Sequence, residues 1–145
     1  MAQSGSNGRR PLLAGNWKMF GRGADLAEIP ALAKAIARVG ERVEALICPA
    51  APYIDAAVRA AEGTPIAIGA QDCSAVGPDN ARTGEVSAAM LDDVGARYVI
   101  LGHSERRSQH GESDGLVSKK AEAALAASNG ASCDGPHEQV HREPF

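Results

Sequence analysis

An α/β fold of four βα units is the architecture this sequence predicts, and three observations carry the prediction. Four short apolar runs, LLAGNW (12–17), VEALICP (43–49), PIAIGA (65–70) and RYVILG (97–102), recur along the chain. Each is apolar on both faces rather than alternating, as a parallel strand covered on both sides must be. Stretches with helical spacing separate the runs, and strand starts near 12, 43, 66 and 98 give steps of about 31, 23 and 32 residues, the length of a βα unit. Periodicity alone does not choose between an open sheet and a closed barrel.

The chain begins with MAQSGSNGRRP (1–11), small and polar, with too little apolar surface to offset the entropy of ordering, so a disordered tail is expected there. After the first strand, Leu26, Ile29, Leu32, Ala33 and Ile36 recur at three- and four-residue intervals and form one apolar stripe. Pro30 falls in or near the first turn of that helix, where its missing N–H does least harm. A second helix is expected from Pro52 to about Ala61, stopped by Gly63 and Pro65. The third runs from about Ser87 to Val94 and ends at Gly95. A short helix follows the fourth strand from Ser104 or Glu105. The last helix starts after Ser113 or Asp114 and carries Val117, Lys120, Ala121, Ala124 and Leu125 along one side to Ser128. Beyond Asn129 the pattern stops, because ASCDGPHEQVHREPF contains Gly135, Pro136 and Pro144 and cannot make a central strand. The expected organisation is therefore a tail over 1–11, a βα body over 12–129 and a second disordered tail over 130–145.

Composition excludes several classes of function. The 145 residues carry 15 Lys+Arg against 18 Asp+Glu, a net charge of -3, which gives neither a nucleic-acid footprint nor a polybasic membrane patch. Gly15, Asn16 and Lys18 interrupt the first apolar run too soon for a secretory signal, and no run reaches the 18 or so apolar residues of a membrane helix. A cytoplasmic location is expected. Cys48, Cys73 and Cys133 are odd in number and far apart, which fits free thiols in a reducing compartment. Cys133, His137 and His141 are spaced by four, but Gly135 and Pro136 forbid the helix that would align them, so no metal site is expected. The glycines around Gly5, Gly8 and Gly15 form neither phosphate-loop nor dinucleotide fingerprint.

Ligands of a parallel βα fold meet the carboxyl ends of the strands, and two such ends carry chemistry. The first run closes in Asn16-Trp17-Lys18; on a strand, Asn16 and Lys18 would point one way and Trp17 the other. A lysine there calls for an anion or carboxylate partner, or else is a surface lysine whose stem covers the rim. The fourth run closes in Gly102-His103-Ser104-Glu105, where a helix N-terminus and a nearby Lys18 would both favour a neutral imidazole able to donate to a substrate oxygen. The residues alone leave a structural hydrogen-bonding histidine equally open. Ala70-Gln71-Asp72-Cys73 leads from the third strand into a long polar loop (77–85), which is either a binding loop or a plain excursion.

The segments GNWKM (15–19), TGEVSAAML (83–91), YVILGHSERR (98–107) and HGESD (110–114), in this order and spacing, strongly resemble the triosephosphate isomerase family from about Pro11 to Ser128. The resemblance implies a partial (β/α)8 barrel and the interconversion of dihydroxyacetone phosphate and glyceraldehyde 3-phosphate in glycolysis and gluconeogenesis. It implies Asn16 and Lys18 as substrate-binding residues, Lys18 as electrostatic catalyst, His103 as electrophile and Glu105 as the carboxylate behind Lys18. A glutamate base working against a neutral histidine is the family's own established pairing rather than a reading of these residues. The family is typically homodimeric, which implies the loop 77–85 as the partner-facing one, with Thr83 as a dimer contact; no cofactor or metal is implied. The general-base glutamate, its lid and the later phosphate loops find no counterpart here, and neither Glu112 nor Glu138 has a framework to replace the base. Two alternatives to an active isomerase follow: an inactive fragment, truncated or frameshifted after about residue 129, and a non-catalytic fragment that binds a partner. Four strands would also leave two open edges, so the chain alone is expected to be marginally stable or insoluble.

Overall fold

A computed structural model describes residues 10–38 and 42–130, with the side chains of 129 and 130 excepted. Expectations for the two tails, including Cys133, His137, Glu138 and His141, fall outside the described residues. Four strands, β1 (Leu12–Asn16), β2 (Glu44–Cys48), β3 (Ile66–Ala70) and β4 (Tyr98–Val99), form one sheet in the order β1-β2-β3-β4. Every pairing is parallel, and the register sets Asn16 opposite Cys48, Ile47 opposite Ile68, and Ala70 opposite Val99. Helices α1 (Glu28–Ile36), α2 (Ile54–Ala61) and α3 (Ala88–Asp93) make the crossovers, and α4 (Ser104–His110) and α5 (Asp114–Gly130) follow β4. This is half of a (β/α)8 barrel.

Burial follows the apolar pattern, with three corrections. Ile29, Ala33 and Ile36 of α1 are buried as the stripe requires, but Leu32 is 39% exposed. Leu26 precedes α1 in a 3-10 turn (Gly23–Ala27) and only half joins the core. A 3-10 turn has three residues per revolution, so the extrapolated α stripe rotates out of phase across the junction. The fourth strand is shorter than its apolar run: Arg97 N–H and Ile100 N–H still donate to Ile68 and Ala70 at 2.8 and 2.9 Å, but only Tyr98–Val99 is regular strand. Strand β1 is not covered on both faces, and Leu13 is 60% exposed, since β1 pairs only with β2 among the described residues. By contrast, β2 between its two neighbours buries Ala45 through Cys48. Each fully buried Ile, Leu or Val stabilises the sheet-helix layer by about 2 kcal/mol, so Ile29, Ile47, Ile54, Ile66 and Ile68 anchor the core.

Glycines place two of the turns that matter. Gly102 follows β4 with φ 67° and Gly111 follows α4 with φ 65°, a left-handed conformation that a Cβ disfavours. The first brings His103 back over the strand ends; the second closes α4 so that Ser113 Oγ can accept from Leu116 N–H at 3.2 Å and cap α5.

Candidate active site

A cavity of about 700 Å³ opens over the carboxyl ends of the strands, and Asn16, Lys18, Gln71, His103 and Glu105 all line it. Asn16 ends β1, but Lys18 is not on the strand. It sits in the turn beyond with φ 53°, its N–H donating to Asn16 Oδ1 at 2.9 Å. The two side chains thus share the cavity because the turn folds back, rather than because a strand alternates. Lys18 is also exposed rather than buried: its side chain is 46% exposed and donates to Glu105 Oε1 at 2.7 Å. The ammonium beside Glu105 holds that carboxyl below its ordinary value.

His103 is the N-cap of α4, and its Nδ1 accepts from Glu105 N–H at 3.2 Å. Glu105 Oε2 lies 3.4 Å from the same nitrogen and would favour a proton there. The backbone N–H decides the matter, because it is an obligatory donor set against Nδ1 at 3.2 Å, whereas Glu105 Oε2 lies farther off at 3.4 Å. In a neutral ring this pattern leaves the proton on Nε2, and His103 is among the residues that line the cavity. His103 is well covered, with 14% of its side chain exposed.

Behind this group lies an ion cluster that sequence reasoning did not assemble. Lys120 Nζ, on α5, donates to Asp72 Oδ1 and Glu112 Oε1 at 2.6 Å each. Arg106 Nη2, on α4, reaches Glu112 Oε1 at 2.8 Å and Asp72 Oδ2 at 3.0 Å. Glu112 is almost fully buried, and its Oε2 has no hydrogen-bond partner among the described residues. Burial pushes its carboxyl up, but the hydrogen bonds from Lys120 and Arg106 outweigh burial, and the net direction is down. Glu112 is thus placed firmly, as an anchor for two cations. The available signal was Lys120 itself, a cation on the apolar stripe of α5.

Thr83 is exposed in the loop from Gly77 to Glu85 and does not line the cavity. The loop is pinned at its end, where Ser74 Oγ–H donates to Glu85 and Arg82 Nη1 donates to Glu85 Oε1 at 3.3 Å. Cys48 and Cys73 are buried free thiols. Among the described residues, no group of three or more His, Cys, Asp or Glu is arranged to hold a metal ion, and no helix is long and apolar enough to cross a membrane.

Comparison with known proteins identifies the family and the fold. The triosephosphate isomerase family model matches residues 11–132. The triosephosphate isomerase of Afipia carboxidovorans is 54% identical over 118 residues, covering 81% of this chain and 47% of that protein. That of Ruegeria pomeroyi is 53% identical over 119 residues, covering 82% and 46%. The crystal structure of triosephosphate isomerase from Bartonella henselae superposes with a TM-score of 0.75 at 43% identity, covering 82% of this chain and 48% of that one. The chain spans about half the length of the curated relatives it matches. With a half-barrel sheet and a family model matched over most of its length, the chain belongs to the triosephosphate isomerase family.

Proposed function

We propose that this chain supplies the electrostatic half of a triosephosphate isomerase site, for the interconversion of dihydroxyacetone phosphate and glyceraldehyde 3-phosphate. The observation that carries the reading is the convergence of Lys18, Glu105 and His103 on one cavity, with Lys18 and Glu105 2.7 Å apart. Abstraction of a proton next to the substrate carbonyl moves negative charge onto the carbonyl oxygen. His103 Nε2–H donates to that oxygen and Lys18 offsets the charge, with Asn16 holding the Lys18 turn and contacting substrate. Fixed donors of this kind contribute about a hundredfold to a thousandfold in rate each. Glu105 is a positioning residue, since its carboxylate is held by Lys18.

The base that takes the proton comes from outside the described residues in this reading. The cavity's carboxylates are all committed: Glu105 to Lys18, Asp72 and Glu112 to Lys120 and Arg106, and Glu85 to Ser74 and Arg82. The same observation favours a second reading, in which the 145-residue chain alone is a non-catalytic fragment. Cytoplasmic location and a homodimer with Thr83 at the contact belong to the proposal; the exposure of Thr83 on a pinned polar loop is compatible with the contact and does not bear on the location. The test is a coupled isomerase assay of the 145-residue chain with both trioses. Turnover that is lost in Lys18→Met and His103→Gln supports the site. Turnover unchanged by either substitution would refute it, and no turnover in the parent chain selects the fragment reading.

A further inference from the structure

We propose that Gln71 is a positioning residue for Lys18, acting on the lysine's backbone rather than on its ammonium. Lys18 is the non-glycine residue with positive φ among the described residues, at 53°, a conformation that crowds its Cβ. Asn16 Oδ1 holds one end of that residue by accepting its N–H at 2.9 Å. Gln71, just past β3 and 53 residues away in sequence, holds the other, its Nε2 donating to Lys18 C=O at 2.9 Å. The second hydrogen of the same amide goes to Cys48 C=O at 2.8 Å, the carbonyl that also accepts Trp17 N–H at 3.0 Å.

One carboxamide therefore ties the end of β2 to the turn after β1, and both of its hydrogens are used. Neither a carboxylate nor a thioether of the same length has such donors. Without them, Lys18 has only its N–H held, and rotation of its φ out of the left-handed region would swing the ammonium away from Glu105. The value of that placement for a substrate anion rests on the function proposed above; the backbone clamp does not.

The test is a cycle of four 145-residue proteins: the parent, Gln71→Met, Lys18→Gly, and both together. Glycine accepts positive φ freely, so the clamp has little left to hold once Lys18 is replaced. Gln71→Met is expected to lower the urea midpoint roughly twofold more in the parent than in the Lys18→Gly background. In Gln71→Met, the Lys18 Cα and Cβ chemical shifts should move toward extended values while those of buried Val117 stay fixed. Folding of Gln71→Met only in the Lys18→Gly background would support the proposal as well. Equal midpoint losses in both backgrounds, failure to fold in both, or an unmoved Lys18 signature in folded Gln71→Met would overturn it. All these readings are made without substrate, so a chain inactive as an isomerase fails the function and not the clamp.

Discussion

Replacing Lys120 by methionine isolates the contribution of the ion cluster beneath the site. The side chains of Lys120 and Glu112 are 6% and 2% exposed, so solvent hardly screens the pair, and methionine keeps the stem while deleting the ammonium. What remains is Asp72 and Glu112 against Arg106 alone, an excess negative charge with one of its members buried. Breaking a buried pair in this way costs about 3–5 kcal/mol. Small domains have about 5–15 kcal/mol in all, so the loss takes about a fifth or more of the stability. With a urea slope of about 1.5 kcal/mol/M, the midpoint falls by roughly 2–3 M, read by far-UV circular dichroism and Trp17 fluorescence. Adding Glu112→Leu removes the uncompensated carboxylate, and the double variant should recover part of the loss, with Arg106 still paired to Asp72 at 3.0 Å. A loss under about 1 kcal/mol for Lys120→Met, or a double variant less stable than the single, would refute the cluster's anchoring role.

Three further outcomes follow from the same structure. Glu112 titrates below its ordinary 4.5 in the folded chain, so the stability it contributes is present above that value and lost as pH falls through the lower folded one; the urea midpoint should drop as the solution is acidified below 4.5, and Glu112→Gln should flatten that part of the profile. Burial pushes the Cys48 thiol up to about 12 and, with Asp72 beside it, the Cys73 thiol up to about 11, so at pH 8 both should resist an aromatic disulfide reagent until urea unfolds the chain; fast labelling of either in the folded protein, mapped by mass spectrometry, contradicts their placement. Gly102→Ala and Gly111→Ala share a left-handed backbone costing about 1–2 kcal/mol, but a Cβ at 102 meets Val117 Cγ1 at 3.0 Å and Arg107 Nε at 3.3 Å while one at 111 meets nothing within 4 Å; the first should be less stable by about 1–3 kcal/mol more, and equal losses would show that space at Gly102 is not limiting.

The fold was legible because a parallel βα repeat writes itself twice, once in strand runs and once in helix stripes. Ile47 and Ile68 are buried in the central strands, and Ile29, Ala33 and Ile36 join the same core cluster, as the spacing requires. Sequence periodicity failed where an element changed its period or lost a neighbour. Leu26 only half joins the core because it sits in the 3-10 turn before α1, a junction that a propensity pattern does not announce, while Leu32, inside α1, is 39% exposed at the margin of the stripe. Leu13 reads as core from composition, yet it is exposed because burial of a strand depends on a second neighbour that local sequence cannot specify.

The site was legible as residues but not as geometry. Asn16, Lys18, His103 and Glu105 were singled out at strand ends, and of the two readings left open for Lys18 the structure shows parts of both: a side chain 46% exposed and a carboxylate, Glu105, at 2.7 Å. Missing was the means of holding Lys18, because a left-handed lysine looks like any other lysine in one-letter code, and Gln71 clamps it from 53 residues away. Lys120 shows what signal does exist. It occupies an inward position between Val117 and Ala121, where an ammonium is tolerated only if carboxylates converge on it, and Asp72 and Glu112 do so from the end of β3 and the start of the turn before α5. A cation on an apolar stripe therefore counts as a demand for two distant partners. Here those partners also hold Arg106 of α4, the helix that His103 caps, so one cluster ties α5 to α4 and to the end of β3.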